Sequence, residues 1–258
     1  MPPESLFLAE SRQREEKIKE AGMTVYSDVF CRVYNEFGWN YYPEIFGQQL
    51  LEWLRRRAWK PEKCMDLACG TGVLCELLKK NGIRASGMDL SAGMIEIARA
   101  GDPEIQYSVA DMVTFCPEES FDLVTCTGDA INHIPDLGDV ERIFRNVYNF
   151  LNPGGWFVFD ILNEHEVSTS EPFETDFSES IRVRFQMTRP EEKTVNLKIR
   201  VWEAGLLRLE ENIREKLHDP EEICALLRRQ GFSNVTCGDR LLEDSGRSTT
   251  WFVTAQKI

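Results

Sequence analysis

The chain predicts an α/β protein: a mostly parallel β-sheet with helices on both faces. Near-continuous apolar runs of strand length alternate with amphipathic helices through its middle, the pattern of strands buried on both sides. A helical, aromatic-rich stretch precedes this alternation. Beyond residue 180, a period-two pattern predicts an antiparallel insertion with one wet face.

Residues from about 10 to 60 read as helical, with a break at Phe37-Gly38. Cys64-Met65-Asp66-Leu67-Ala68 is the first strand, and Val73, Leu74, Leu77 and Leu78 form one face of the helix that follows. Asn81-Gly82 ends that helix. Ala85 to Met88 is a second strand ending at Asp89, and Ser91 caps a helix running through Ala98. A third strand lies around Ile105 to Val109, and Phe121 to Cys126 is the fourth. Val140, Ile143, Phe144, Val147 and Leu151 recur at helical spacing before the Asn152-Pro153-Gly154-Gly155 turn. Trp156 to Ile161 is the fifth strand.

The register then changes. Ile181, Val183, Phe185 and Met187 alternate with polar residues, as do Val195, Leu197, Ile199 and Val201 after the Arg189–Lys193 loop. A helix over about Pro220 to Gln230, stopped by Gly231, and a strand near Thr250 to Gln256 finish the chain. The expected organisation is a helical cap or lid over residues 1–60, then a domain over 61–258 with its antiparallel insertion at about 175–215.

With 258 residues the chain is long enough for one sizeable core. Its 42% hydrophobic and 28% charged residues fit a globular protein, and no apolar run approaches the roughly 20 residues of a membrane helix. The N-terminus lacks a basic region and a long apolar stretch, so the expected compartment is the cytoplasm, with no membrane partner. A net charge of −13 repels a polyanion and argues against DNA. The eight cysteines show no CxxC spacing and read as small buried thiols; no metal-ligand cluster is visible.

Asp66-Leu67-Ala68-Cys69-Gly70-Thr71-Gly72 lies between the first strand and its helix. Glycines there allow close approach of backbone to a ligand, and the helix N-terminus offers partly positive N–H groups. One strand on, Asp89 stands where a carboxylate can hold both hydroxyls of a ribose. A dinucleotide fingerprint would need glycine at Cys75, and no Gly-Lys-Ser/Thr of a P-loop is present. Asp66 would repel a pyrophosphate, and suits a cationic ligand instead.

DLACGTG resembles the first motif of the class I S-adenosylmethionine-dependent methyltransferases, and GMDLSAGMIEIA is similar to their second. Ala110-Asp111-Met112, FDLVTCTGDAINHI and LNPGGWFVFDI resemble the later ones. The resemblance covers about residues 26 to 162 and, within the superfamily, is to small-molecule enzymes, including sugar-amine N-methyltransferases, with an antiparallel insertion after the fifth strand. It implies a Rossmann-like, seven-stranded, mostly parallel sheet. It also implies S-adenosyl-L-methionine as cofactor and S-adenosyl-L-homocysteine as product. Asp66, Ala68, Gly70 and Gly72 would surround the methionine part, Asp89 the ribose, and Leu90 and Met94 the adenine. Asp111 would accept from the adenine amino group, Met112 would stack on the ring, and Thr127 would line the pocket beside the sulfonium. Phe30 to Asn35 resembles a lid element, which puts Tyr34 at the methyl group and Tyr41 or Tyr42 at the cofactor carboxylate.

Methyl transfer is an in-line displacement on an already activated carbon, so positioning and exclusion of water dominate. A base is needed only where the acceptor arrives protonated. His133 and Asp160 are the candidates, followed by Glu164 and His165, while Glu211 and Arg214 on the insertion are candidate acceptor-pocket residues. TGDA stands where amino-methylating DNA enzymes carry Asp/Asn-Pro-Pro-Tyr/Phe, and no Pro-Cys nucleophile is present. The reading is therefore methyl transfer to N or O of a small molecule. The rivals are an RNA or protein methyltransferase and a catalytically silent S-adenosylmethionine-binding module.

Overall fold

The structure is a computed structural model that describes residues 26–167, 172–176, 180–243 and 249–258. The helical expectation for residues before 26 lies outside the described residues. Among the described residues two helices, α1 (Asp28–Tyr34) and α2 (Tyr41–Arg56), come first. The alternation follows: β1 (Lys63–Leu67), α3 (Val73–Lys80), β2 (Arg84–Asp89), α4 (Ala92–Gly101), β3 (Gln106–Val109) and β4 (Phe121–Cys126). A 3-10 turn (Ala130–His133), α5 (Leu137–Phe150) and β5 (Leu151–Leu162) lead into the insertion. The insertion comprises β6 (Phe173–Asp176), β7 (Ile181–Glu191), β8 (Thr194–Glu203) and β9 (Leu206–Lys216). The chain ends with α6 (Pro220–Arg229), β10 (Ser233–Gly238) and β11 (Thr250–Gln256).

The main sheet has seven strands in the order β10-β11-β5-β4-β1-β2-β3, and the insertion is a separate sheet of four in the order β6-β7-β8-β9. Strands β1 to β5 run parallel, whereas β11 and β10 close the other edge of the main sheet antiparallel. This is the predicted Rossmann-like fold with its antiparallel insertion after the fifth strand.

Alternation along β5 explains the two covered faces. Phe157, Phe159 and Ile161 pack with Val140, Phe144 and Val147 of α5 and Ile223 and Leu227 of α6. Val158 turns the other way, toward Phe46, Leu50 and Trp53 of α2 and Leu74 and Leu78 of α3. The second N-terminal helix is therefore part of the layer that covers the sheet. Helix α1 lies elsewhere, in an apolar cluster with Met94 of α4 and with Val183, Ile199 and Val201 of the insertion.

Side-chain caps fix the helix starts. Ser91 Oγ accepts from Met94 N–H at 3.3 Å, and Asp219 caps α6 ahead of Pro220. Ser91→Ala should cost about 0.5–2 kcal/mol, the usual value of an N-cap. For a chain of this size that lowers the melting temperature by roughly 1–8 °C, which a thermal denaturation scan reads directly.

Four elements differ from expectation, one of them β9, for which the sequence reading named no strand. Strand β5 begins at Leu151, because the Asn152–Gly155 turn stays paired to β4 through a register shift. Strand β10 is an edge strand whose exposure leaves it few apolar residues, and β6 has no apolar alternation. Asn132 ties the insertion's two ends to one point: its amide N–H donates to Lys216 C=O at 2.6 Å, and its carbonyl accepts from Leu162 N–H at 2.9 Å.

All eight cysteines are free thiols, six of them buried. Among the described residues no helix is long and apolar enough to cross a membrane.

Candidate active site

The strand order reverses between β1 and β4, and ligands of open α/β sheets bind at the carboxyl ends of the strands at that point. A cleft of about 330 Å³ opens there. Its floor is the turn after β1 and the ends of β2 and β3, its far wall is the turn after β4, and Tyr34 of α1 lies over it. Three side-chain contacts hold α1 in place. Thr71 Oγ1 donates to Asn35 Oδ1 at 2.8 Å, Ser27 Oγ donates to Glu211 Oε2 at 2.8 Å, and Cys31 Sγ sits 3.3 Å from Ser91 Oγ.

Asp66, near the end of β1, is buried and lines the cleft. Its carboxylate accepts from Thr125 Oγ1 at 2.7 Å. Burial pushes it up to about 7; the Thr125 hydroxyl opposes this, and the nearby Asp89 charge adds to it.

The turn that follows takes left-handed backbone at Ala68, Gly70 and Gly72, with φ of 55°, 53° and 84°. A Cβ on Gly70 would meet nothing within 4 Å, so this backbone faces open cleft. Gly72 serves packing instead. A Cβ there would come within 2.4 Å of the Tyr107 hydroxyl, and Gly72 does not line the cleft.

Asp89 ends β2 with both oxygens engaged. Oδ2 accepts from Gly70 N–H at 2.9 Å and Oδ1 from Ser91 N–H at 2.8 Å. Burial raises its pKa above the ordinary carboxylate range, and the N–H donors of Ser91, Gly70 and Leu90 oppose the rise. Leu90, Met94, Asp111, Met112 and Thr127 all line the cleft. Asp111 Oδ1 also accepts from Val113 N–H at 2.9 Å, which fixes the loop after β3.

Asp160 and Tyr42 lie behind the cleft wall. Asp160 is buried and accepts from Gly128 N–H at 2.9 Å and Asp129 N–H at 3.1 Å, so it holds the turn after β4. Burial pushes it up to about 6 against those donors. The Tyr42 hydroxyl bonds Thr250 Oγ1 at 3.0 Å, and Tyr41 is 64% exposed. Glu164 pairs with Lys193, and His165 is exposed.

His133 does line the cleft, beside Thr127 and Gly128. Burial lowers its pKa to about 4, so the ring is neutral at pH 7. Its Nε2 is 3.8 Å from Asp129 Oδ1 and 3.5 Å from Glu215 Oε1. The sequence reading gave Asp129 and Glu215 no role, because β9 is remote from the turn in the chain. The available signal was phase: Leu209, Glu211, Ile213 and Glu215 share the inward face of β9, whereas Arg214 faces out and pairs with Glu191.

A sequence profile described as "Methyltransferase domain" matches residues 27–237, and the chain belongs to that family. Among relatives, the dTDP-4-amino-2,3,4,6-tetradeoxy-D-glucose N,N-dimethyltransferase of Saccharopolyspora spinosa is 27% identical over 135 residues. That match spans 52% of this chain and about half, 53%, of the relative. The Bacillus subtilis (strain 168) protein YqeM is 27% identical over 223 residues, 81% of this chain and 90% of that protein. The structure of SAM-bound CalS10, an amino pentose methyltransferase from Micromonospora echinaspora, superposes with a TM-score of 0.70 at 21% identity. It covers 91% of this chain and 99% of that one; at this identity the likeness shows the fold.

Proposed function

We propose that the protein transfers the methyl group of S-adenosylmethionine to N or O of a small-molecule acceptor by in-line displacement. One observation carries the reading: two carboxylates, Asp66 and Asp89, flank the open Gly70 backbone in a single cleft at the switch point. The residues fit the cofactor. Asp66 suits its cationic amino-acid end, the bared backbone at Gly70 leaves room for the methionine part, and Asp89 suits a ribose diol. Leu90, Met94 and Met112 offer apolar surface to the adenine, and Asp111 an acceptor for its amino group. Thr127 and Tyr34 border the space left for the methyl group.

When bound, the cofactor supplies a methyl group already activated by a sulfonium. The chain's residues then have three tasks: to align the acceptor, to exclude water and to receive a proton where the acceptor carries one. Within the cap expected over residues 1–60, helix α1 serves as the lid while α2 belongs to the layer over the sheet, and His133 is the proton acceptor at the cleft. The free thiols suit a reducing compartment such as the cytoplasm.

Calorimetric titration with S-adenosylmethionine, S-adenosylhomocysteine and NAD tests the reading. Micromolar binding of the first two and none of NAD is expected. Binding of neither would overturn it.

A further inference from the structure

We propose that Glu215 on the insertion sheet, together with Asp129, selects an amine as the methyl acceptor and holds the proton that this amine gives up, acting through His133. The inference rests on the methyl-transfer reading and adds to it the chemical class of the acceptor.

Strand β9 turns Leu209, Glu211, Ile213 and Glu215 inward, and none of the four is more than 9% exposed. Leu209 and Ile213 belong to an apolar cluster with Phe30 and Val183. A carboxylate in such a position costs free energy unless it is paired or used. Glu211 is used, since it accepts from Ser27 and ties α1 to the sheet. Glu215 faces His133 across 3.5 Å, and Asp129 approaches the same ring nitrogen at 3.8 Å. The three reactive atoms lie within 4.8 Å of one another. Among the described residues neither carboxylate pairs with a lysine or arginine.

The buried Glu215 and half-buried Asp129 face one neutral imidazole at the cleft wall; burial raises both carboxyls above their ordinary range, Glu215 to about 7, and a cation that enters between them favours their ionised forms. A small amine arrives as R–NH3⁺ and passes one proton to His133 Nε2, where the two carboxylates stabilise the charge. The freed nitrogen lone pair forms the new C–N bond as the methyl–sulfur bond breaks, and sulfur keeps that electron pair. The product, R–NH2⁺–CH3, is again a cation. A hydroxyl offers no charge to attract, and removing its proton needs a far stronger base than an imidazole held below its ordinary range by burial.

The ionisable groups around this ring are Asp129 on its own turn, Glu215 on β9 and, beyond Asp129, Asp160 on β5. The Tyr26 and Tyr34 phenols border them.

The test uses the full chain at saturating S-adenosylmethionine with matched probes: glucosamine against glucose, and benzylamine against benzyl alcohol. Methylated product is read by mass spectrometry. At least one amine should be methylated and its matched alcohol left untouched. Glu215→Gln should lower kcat for that amine by about 10-fold or more, as for a general acid–base partner, and shift the acid limb of the kcat profile. Its affinity for S-adenosylmethionine should stay within about twofold, because Glu215 does not border the cofactor end of the cleft. Asp129→Asn should show the same split.

Methylation of the alcohols, an unchanged rate in both variants, or loss of activity on adding EDTA (a metal at the same three residues) would overturn the inference. So would cofactor binding without transfer to any probe. Failure to bind S-adenosylmethionine at all would instead overturn the methyl-transfer reading itself.

Discussion

Asp89→Ala should weaken binding of S-adenosylmethionine by at least about 10-fold and up to about 150-fold. A hydrogen bond to a charged group is worth roughly 1.5–3 kcal/mol, and 1.4 kcal/mol is a factor of ten. The loss has two sources. The carboxylate is the proposed partner of the ribose hydroxyls, and it also holds the backbone of both cofactor-facing turns, through Gly70 N–H and Ser91 N–H. Asp89→Asn separates these contributions. It keeps the shape but loses the charge and one acceptor, so its affinity should fall between those of wild type and alanine. Calorimetry on variants that melt cooperatively makes the measurement. Unchanged affinity in a folded Asp89→Ala protein would remove Asp89 from the site.

The second large effect is on pH. Asp66 is pushed up to about 7 by burial, so in the empty protein it is largely protonated below that value. A cationic ligand favours the ionised form. Affinity for S-adenosylmethionine should therefore fall as pH drops below 7, approaching about tenfold per unit, or roughly 50-fold between pH 7 and pH 5. The stability of the ligand-free protein moves in the opposite sense. The folded carboxyl keeps a proton that the unfolded one releases near 4, so the stabilisation is complete below about 4 and is lost as pH rises through about 7. Asp66→Asn should flatten both curves, at the cost of weaker binding at and above neutral pH. Titrations at several pH values, paired with denaturant melts, check both signs.

The parallel core was legible because buried strands are apolar on both sides and the helices between them carry capping residues. Ser91 and Asn81-Gly82 marked their boundaries within a few residues. Less was legible where a strand is an edge, as at β10, or where a turn stays hydrogen-bonded, as at Asn152–Gly155. The cofactor end of the cleft was readable because Asp66, Gly70 and Asp89 each end or follow a strand of the same parallel sheet, so order in sequence implies nearness in space. The acceptor end was not. Glu215 reaches His133 only because the insertion folds back over the sheet, and a glutamate in a strand reads as solvent-facing until the phase of its neighbours is counted. Asp160 and Tyr42 show the converse. Each sits at the expected edge, yet buried hydrogen bonds to the turn after β4 and to Thr250 hold it behind the wall.

Asn132 binds the departure point and the return point of the insertion to the turn that carries His133. The second sheet is thereby anchored like a cassette at a fixed hinge pin. Its strands can lengthen, shorten or exchange inward residues over generations while the frame around the cofactor stays put. A lineage can then change what it methylates by rewriting one wall, so grafting a relative's insertion between Leu162 and Lys216 is a rational route to new acceptors.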